Sequence, residues 1–318
     1  MKILILGANG FIGAPLLKEV LAQGHKVRVL TRREGRAYPG DVEVFKGDLT
    51  SNTLDVDTLV SDCDIIINCA GEIRNEHLMR ELHVNATQRL LGAIARRLTQ
   101  SSQHCHWVQL SSVGAYGPAP GQRRVVTEDT QPNPVGMYEI TKTEADSIVV
   151  NAADQEGFTY AILRPSNVYG PGMPNNSIRQ MASFVREHIF FYVGFERSVA
   201  TYIHVNDVVT ALMLCAFKKD ACGQIFNISN DCYFDEVING LADSMAVSRP
   251  FVKLPELLIR AVVASLGKII KLPITQERID ALTVKTWYPT YKLKSQLGFS
   301  PQCSVPKTIG ECLSSKDL

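Results

Sequence analysis

The sequence predicts an α/β protein: a doubly wound parallel sheet with a smaller C-terminal lobe. Three observations predict it. Short apolar runs alternate with helical patterns through the first half of the 318 residues, the signature of βαβ units. The first run, Ile3–Leu6, opens into the glycine triplet Gly7-Ala-Asn-Gly10-Phe-Ile-Gly13. Tyr138 and Lys142 stand four apart in a helical segment, where they share one face.

The elements follow in order. Ile3–Leu6 reads as a strand and Phe11–Gln23 as a helix ending at Gly24, since glycine is the usual helix stop. Strands are expected at Val27–Leu30, Val42–Phe45 and Ile65–Asn68, then a long helix over roughly 75–98. Trp107–Leu110 is the next strand, Gly136–Gln155 a helix and Tyr160–Leu163 a strand. Right-handed crossovers make such a sheet doubly wound, with the ligand at the carboxyl ends of the strands. From about Pro165 the pattern loosens into the Gly-, Pro- and Asn-rich loop Asn167–Asn176. Val205–Lys218 is helical again, with Asp207 near its start read as a cap, and Gln224–Ile228 is a strand. The expected division gives 1–165, with 200–228 returning to the sheet, to dinucleotide binding. Segments 166–199 and 229–318 form the substrate lobe.

Composition narrows the function. Hydrophobic residues make up 45% and charged residues 20%, an ordinary globular balance. A net charge of +1 gives no basis for nucleic acid or an acidic membrane as partner. The eight cysteines are scattered without a C-x-x-C and read as free thiols in a reducing, cytoplasmic setting. The seven histidines form no H-E-x-x-H pattern, so no metal site is expected. The apolar run Ile3–Leu6 is too short for a secretory leader. Pro255–Leu272 is the longest apolar helical stretch, but Arg260 and Lys268 interrupt it. It reads as a packing helix, not a membrane span.

The glycine turn lies between a strand and a helix, the setting that phosphate binding in a Rossmann-type fold requires. Glycines let the backbone approach a pyrophosphate, and the helix N-terminus supplies N–H groups and a positive dipole end. The second strand ends at Thr31-Arg32-Arg33, where an NAD-binding fold usually carries an acid. Two arginines suit a 2′-phosphate, so NADP(H) is favoured over NAD(H), with nearby Glu34 speaking for NAD(H). Asp48 is placed to accept from an adenine amino group, and Asn68-Cys69-Ala70-Gly71 to lie near the nicotinamide ribose. A Lys142 cation beside the Tyr138 phenol favours phenolate and lowers its pKa. Tyr138 is therefore the candidate acid/base for a carbonyl–alcohol pair.

Over nearly its whole length the chain resembles the extended short-chain dehydrogenase/reductase family, in its NAD(P)-dependent epimerase/dehydratase branch. The motifs are Gly7-x-x-Gly10-x-x-Gly13, Asp48-Leu49, Asn85-Ala-Thr87, Leu110–Gly117 and Tyr138-x-x-x-Lys142. Leu163–Pro171, Tyr202–Val208 and Leu297-Gly-Phe-x-Pro301 continue them. The resemblance implies that Tyr138 is the acid/base and that Lys142 holds the nicotinamide ribose. It makes Ser112 the hydroxyl on the substrate oxygen, with Ser111 the alternative. Cofactor contacts are implied at Gly7, Asn9, Gly10, Phe11, Ile12, Gly13, Arg32, Arg33, Asp48, Leu49, Cys69, Ala70, Gly71, Asn85 and Pro165, besides Tyr138 and Lys142. Asn167 is implied at the substrate, and Arg197 is the nearest arginine for an anionic group. A homodimer through helices near 76–98 and 137–155 is also implied.

Two departures from the family pattern matter. Where 4,6-dehydratases carry an Asp-Glu pair, this chain has Val113-Gly114, and neither residue transfers a proton. The arginine that epimerases often place just before the Tyr-Ile-His-Val segment is replaced by Ala200-Thr201. The leading expectation is an NAD(P)-dependent epimerase or ketoreductase acting on a nucleotide-linked sugar. The alternatives are a dehydrogenase of an apolar or steroid-like alcohol, favoured by the apolar helix, and a non-catalytic dinucleotide-binding protein.

Overall fold

The computed structural model describes residues 1–33, 35, 37–39, 41–100, 104–119, 123–266 and 275–313. Glu34 and the 267–272 portion of the apolar stretch lie outside the described residues. Seven strands form the central sheet: β1 Lys2–Leu6, β2 Lys26–Thr31, β3 Val42–Lys46, β4 Ile65–Asn68, β5 His106–Leu110, β6 Thr159–Pro165 and β7 Gln224–Ile228. All neighbours run parallel, in the order β7-β6-β5-β4-β1-β2-β3. Ile3 pairs with Val27 on one side and Ile65 on the other. The central strands are continuous Ile, Leu and Val runs because both faces are covered.

Each face has its own core. On one, Leu16, Leu17 and Val20 of helix Gly13–Ala22 join Val208, Leu212 and Cys215 of helix Val205–Phe217. On the other, Leu90, Leu91 and Ile94 of helix Ala86–Gln100 meet Val149 and Ala153 of helix Met137–Glu156. A third cluster, with Tyr169, Ile178, Phe234, Leu241 and Ile309, lies beyond the sheet. Short ladders stitch it down, Asn167–Tyr169 with Tyr202–His204 and Arg123–Val125 with Lys285–Trp287. Strand order reverses between β1 and β4, which opens a crevice at their carboxyl ends.

The long helix expected over 75–98 is present: Glu76–Arg80 and Ala86–Gln100 are joined without a break by a π turn at Glu81–Asn85. A π turn inserts one extra residue and re-aims the side chains it carries. Asp207 does not cap its helix; the imidazole of His204 does, accepting from Asn206 N–H at 3.2 Å. Asp207 is buried and accepts from Gln302 N–H at 2.9 Å and Cys303 N–H at 3.2 Å, pinning the C-terminal segment. All eight cysteines are free. Among the described residues no helix is long and apolar enough to cross a membrane.

Candidate active site

The crevice beside β1 is lined by backbone before side chains. Gly7 has φ +77° and passes so close to Cys69–Ala70 that a Cβ would sit 2.8 Å from that backbone. A Cβ on Gly13 would stand 2.1 Å from the Gly7 carbonyl oxygen. The turn is therefore closed to any side chain at either position. The resulting cleft encloses about 300 Å³. Of the expected cofactor residues, Gly7, Asn9, Gly10, Arg32, Arg33, Asp48, Leu49, Cys69, Ala70 and Gly71 line it. Glycines at the turn, N–H groups at a helix start and two cations at the far end fit a dinucleotide.

The remaining expected residues sit elsewhere. Gly13 lies beneath Gly7, and Phe11 and Ile12 pack into the third and first clusters. Asn85 is on the π turn, where its amide donates to Glu81 at 2.7 Å. Pro165 is buried at the end of β6. Sequence reading passed over Thr31, Thr50, Glu72, Leu78 and Leu82, which also line the cleft. Thr31 takes the place of the usual acid. Its hydroxyl accepts from the Asn9 amide and from Arg33 N–H, both at 3.1 Å. Asp48 accepts twice from Thr50 and lies 3.5 Å from exposed Arg32. Burial works against the Asp48 charge, but Thr50 and Arg32 outweigh it and hold the carboxyl low.

Tyr138 and Lys142 lie in the first turns of helix Met137–Glu156, which starts after Gly136 at φ +97°. Their relation differs from the expected one. Lys142 is buried and its ammonium donates to the Leu110 carbonyl at the end of β5. Burial lowers its pKa, while the charges it feels are those of Asp146 and Cys69. The Tyr138 pKa is not lowered. Burial pushes it up to about 12, with Glu139 and Asp146 adding to the rise. The phenol is thus held as an acid, because desolvation outweighs a lysine engaged by the Leu110 carbonyl.

Ser112 caps the short turn Val113–Tyr116, accepting from Gly114 N–H at 3.0 Å and keeping its own proton to donate. Ser111, the alternative, is buried and donates to Asp146 at 2.7 Å. It belongs to a buried chain in which Arg164 bonds Asp146 at 3.0 Å and the Tyr116 hydroxyl at 3.1 Å. Tyr116 in turn donates to Asn227 at 2.9 Å. Burial opposes the Arg164 charge, and Asp146 outweighs it. This chain ties the carboxyl ends of β5, β6 and β7 to helix Met137–Glu156.

A second cavity, of about 370 Å³, opens in the C-terminal lobe. Its walls are apolar, with Met173, Met181, Phe190, Tyr202, Phe234 and Leu282. Its polar groups include Asn167, Gln180 and Arg278. Asn167 donates its amide to the Thr201 carbonyl at 3.0 Å. Arg197 does not join this cavity. It stacks 3.6 Å over the Tyr233 ring and pairs with Asp235 at 2.8 Å and Glu236 at 3.2 Å. The cation at the rim is Arg278, which donates to Gln180 at 2.9 Å. Sequence reading missed it because it lies 81 residues beyond Arg197, in a helix without a distinguishing motif.

Known proteins share this fold. The chain is 26% identical to sterol-4-alpha-carboxylate 3-dehydrogenase (decarboxylating) of Candida albicans, over 98% of this chain and 96% of the relative. It is 32% identical to dTDP-6-deoxy-L-talose 4-dehydrogenase (NAD(P)(+)) of Kitasatospora kifunensis, over 56% of this chain and 55% of that one. Among solved structures it superposes on MoeE5 in complex with UDP-glucuronic acid and NAD, with a TM-score of 0.75 and 25% identity, covering 98% of this chain and 97% of that one. The family model for NAD dependent epimerases and dehydratases matches residues 3–229. With that match added to the glycine turn and the Tyr138/Lys142 helix, the chain belongs to the NAD dependent epimerase/dehydratase family.

Proposed function

We propose that the protein is an NAD(P)-dependent epimerase or ketoreductase that interconverts an alcohol and a ketone on a nucleotide-linked sugar. The observation that carries the sugar nucleotide is the second cavity. Arg278 and Asn167 stand in it with Tyr202 and Phe234, offering a cation for a diphosphate and ring faces for a base. Bound in the glycine-lined cleft, a nicotinamide supplies the hydride acceptor or donor. Tyr138 then moves the proton of the alcohol oxygen, and the Ser112 hydroxyl donates to that same oxygen. Lys142, held by Leu110, fixes the base of the helix that carries Tyr138. Thr31 in place of an acid, with Arg32 and Arg33 beside it, supports acceptance of NADP(H).

A second reading rests on the cavity walls. Two methionines, Phe190 and Leu282 suit an apolar alcohol, and a relative similar over nearly its full length is named as a sterol dehydrogenase. One thermal-shift panel separates the two. UDP- and dTDP-hexoses raising Tm in the presence of NADPH, with sterol-like ketones inert, is the expected outcome. The reverse pattern selects the apolar substrate.

A further inference from the structure

His83 lies on the π turn, is 2% exposed, and has no part in the proton transfer just described. Its ring is nonetheless saturated with contacts. Nε2 accepts from Glu72 N–H at 2.9 Å. The proton must then reside on Nδ1, which stands 2.8 Å from the Thr141 hydroxyl. Thr141 passes its own proton to the carbonyls of Met137 and Tyr138, at 2.8 and 3.1 Å. The imidazole also meets the Tyr138 ring edge-on, with centroids 5.6 Å apart and planes at 83°. One imidazole therefore joins the π turn, the first turn of helix Met137–Glu156 and the loop at Gly71–Glu72, which lines the cofactor cleft.

We infer that His83 is a positioning residue for Tyr138: a neutral imidazole, protonated on Nδ1, that fixes the phenol against the cofactor-facing loop. Every hydrogen bond in the chain runs one way, from Glu72 N–H through His83 and Thr141 to the helix backbone. A second ring proton would point Nε2–H at Glu72 N–H, donor against donor. The facing groups agree. Lys142 on helix Met137–Glu156 disfavours a charged ring, Glu72 on the loop favours one, and Glu81 on the π turn is bonded to Asn85. Burial leads, and the pKa falls to about 3. Without the extra residue of the π turn, the His83 side chain would leave this face.

The inference rests on Tyr138 being the proton-transfer group, so its test has an arm that needs no substrate. In ¹⁵N NMR of the cofactor-free protein, His83 should keep the Nδ1–H pattern well below the usual histidine range of about 6.5. His83→Phe should displace the Tyr138 ring resonances, and His83→Gln, which keeps an acceptor and a donor, should leave them in place. An Nε2–H tautomer, titration in the usual range, or equal displacement by both variants would overturn the inference. In the activity arm, NADPH oxidation with a UDP-4-ketohexose, His83→Phe should lower kcat by about tenfold at unchanged KM. His83→Gln should recover most of it. Equal losses in both variants that track Tm, with an unchanged pH profile, would reduce His83 to a structural residue. A wild type that neither reduces a UDP-4-ketohexose nor epimerises a UDP-hexose would sink the functional reading, and the NMR arm alone would then decide His83.

Discussion

The glycine-lined cleft and the cavity of the C-terminal lobe are built in different ways. The cofactor cleft is made of backbone: Gly7, Gly13 and the Cys69–Ala70 peptide pack so closely that no Cβ fits. Its parts lie within one stretch of βαβ units, at the ends of β1, β2 and β4. The cavity proposed for the substrate is made of side chains that reach it from residues 167 to 284. Backbone shape constrains sequence tightly, because only glycine satisfies it. A side-chain cavity constrains it loosely, because many residues fill one volume. A cleft of the first kind is legible in sequence, and a cavity of the second kind is not.

Substitutions that act on one cavity and spare the other test this contrast. Tyr138→Phe should have the largest effect, lowering turnover by roughly 10²- to 10⁴-fold. Cofactor affinity, read by NADPH fluorescence titration, should stay unchanged. Gly13→Ala should do the opposite. Its Cβ would meet the Gly7 carbonyl at 2.1 Å, and overpacking of this kind costs about 1–3 kcal/mol. That corresponds to roughly 10- to 100-fold weaker cofactor binding. Unchanged NADPH affinity in Gly13→Ala would break the claim that the turn holds the pyrophosphate.

Legibility in the sequence followed the same divide. β1, β2, β4 and β5 were readable as apolar runs within a residue or so of their observed ends, since strands buried on both faces are mostly apolar. Ten expected cofactor residues line the cleft because the glycine motif dictates the backbone path. The π turn at Glu81–Asn85 was not readable, because an extra residue leaves helical periodicity almost intact. The raised Tyr138 pKa was missed for another reason. The i, i+4 spacing places Lys142 on the same face, but burial and the Leu110 carbonyl decide where its charge acts. Arg278 was missed because charge partners in a side-chain cavity carry no fixed spacing; only the fold showed that Arg197 was already bound by two carboxylates.

Arg278→Ala sharpens the substrate side. A charged hydrogen bond is worth about 1.5–3 kcal/mol, so a nucleotide diphosphate should bind roughly 10- to 100-fold more weakly. NADPH affinity should not move. Arg197→Ala, by contrast, should leave nucleotide binding within twofold or so, since its partners are Asp235 and Glu236 rather than a ligand. Isothermal titration with UDP reads both variants. Equal losses would mean that the cavity has been assigned the wrong cation.

The smallest effect belongs to the residue beside Tyr138. Glu139 follows Tyr138, and its side chain fills the space that a Cβ at Gly114 would enter, at 2.7 Å. Its charge is the second contribution, after burial, that raises the Tyr138 pKa. Glu139→Gln preserves the shape and removes the charge, so the Tyr138 pKa should fall. Alcohol oxidation requires the phenolate, and its rate climbs with pH until the pKa is passed. A lower pKa moves that climb towards acid, and oxidation below it should quicken by roughly two- to fivefold. Ketone reduction requires the phenol, which is already fully protonated near neutrality, so its rate there should hold. The paired pH profiles of the two directions provide the measurement. An alkaline limb that stays in place in Glu139→Gln would mean that Glu139 does not act on Tyr138 electrostatically, leaving burial to set the pKa of the proton donor.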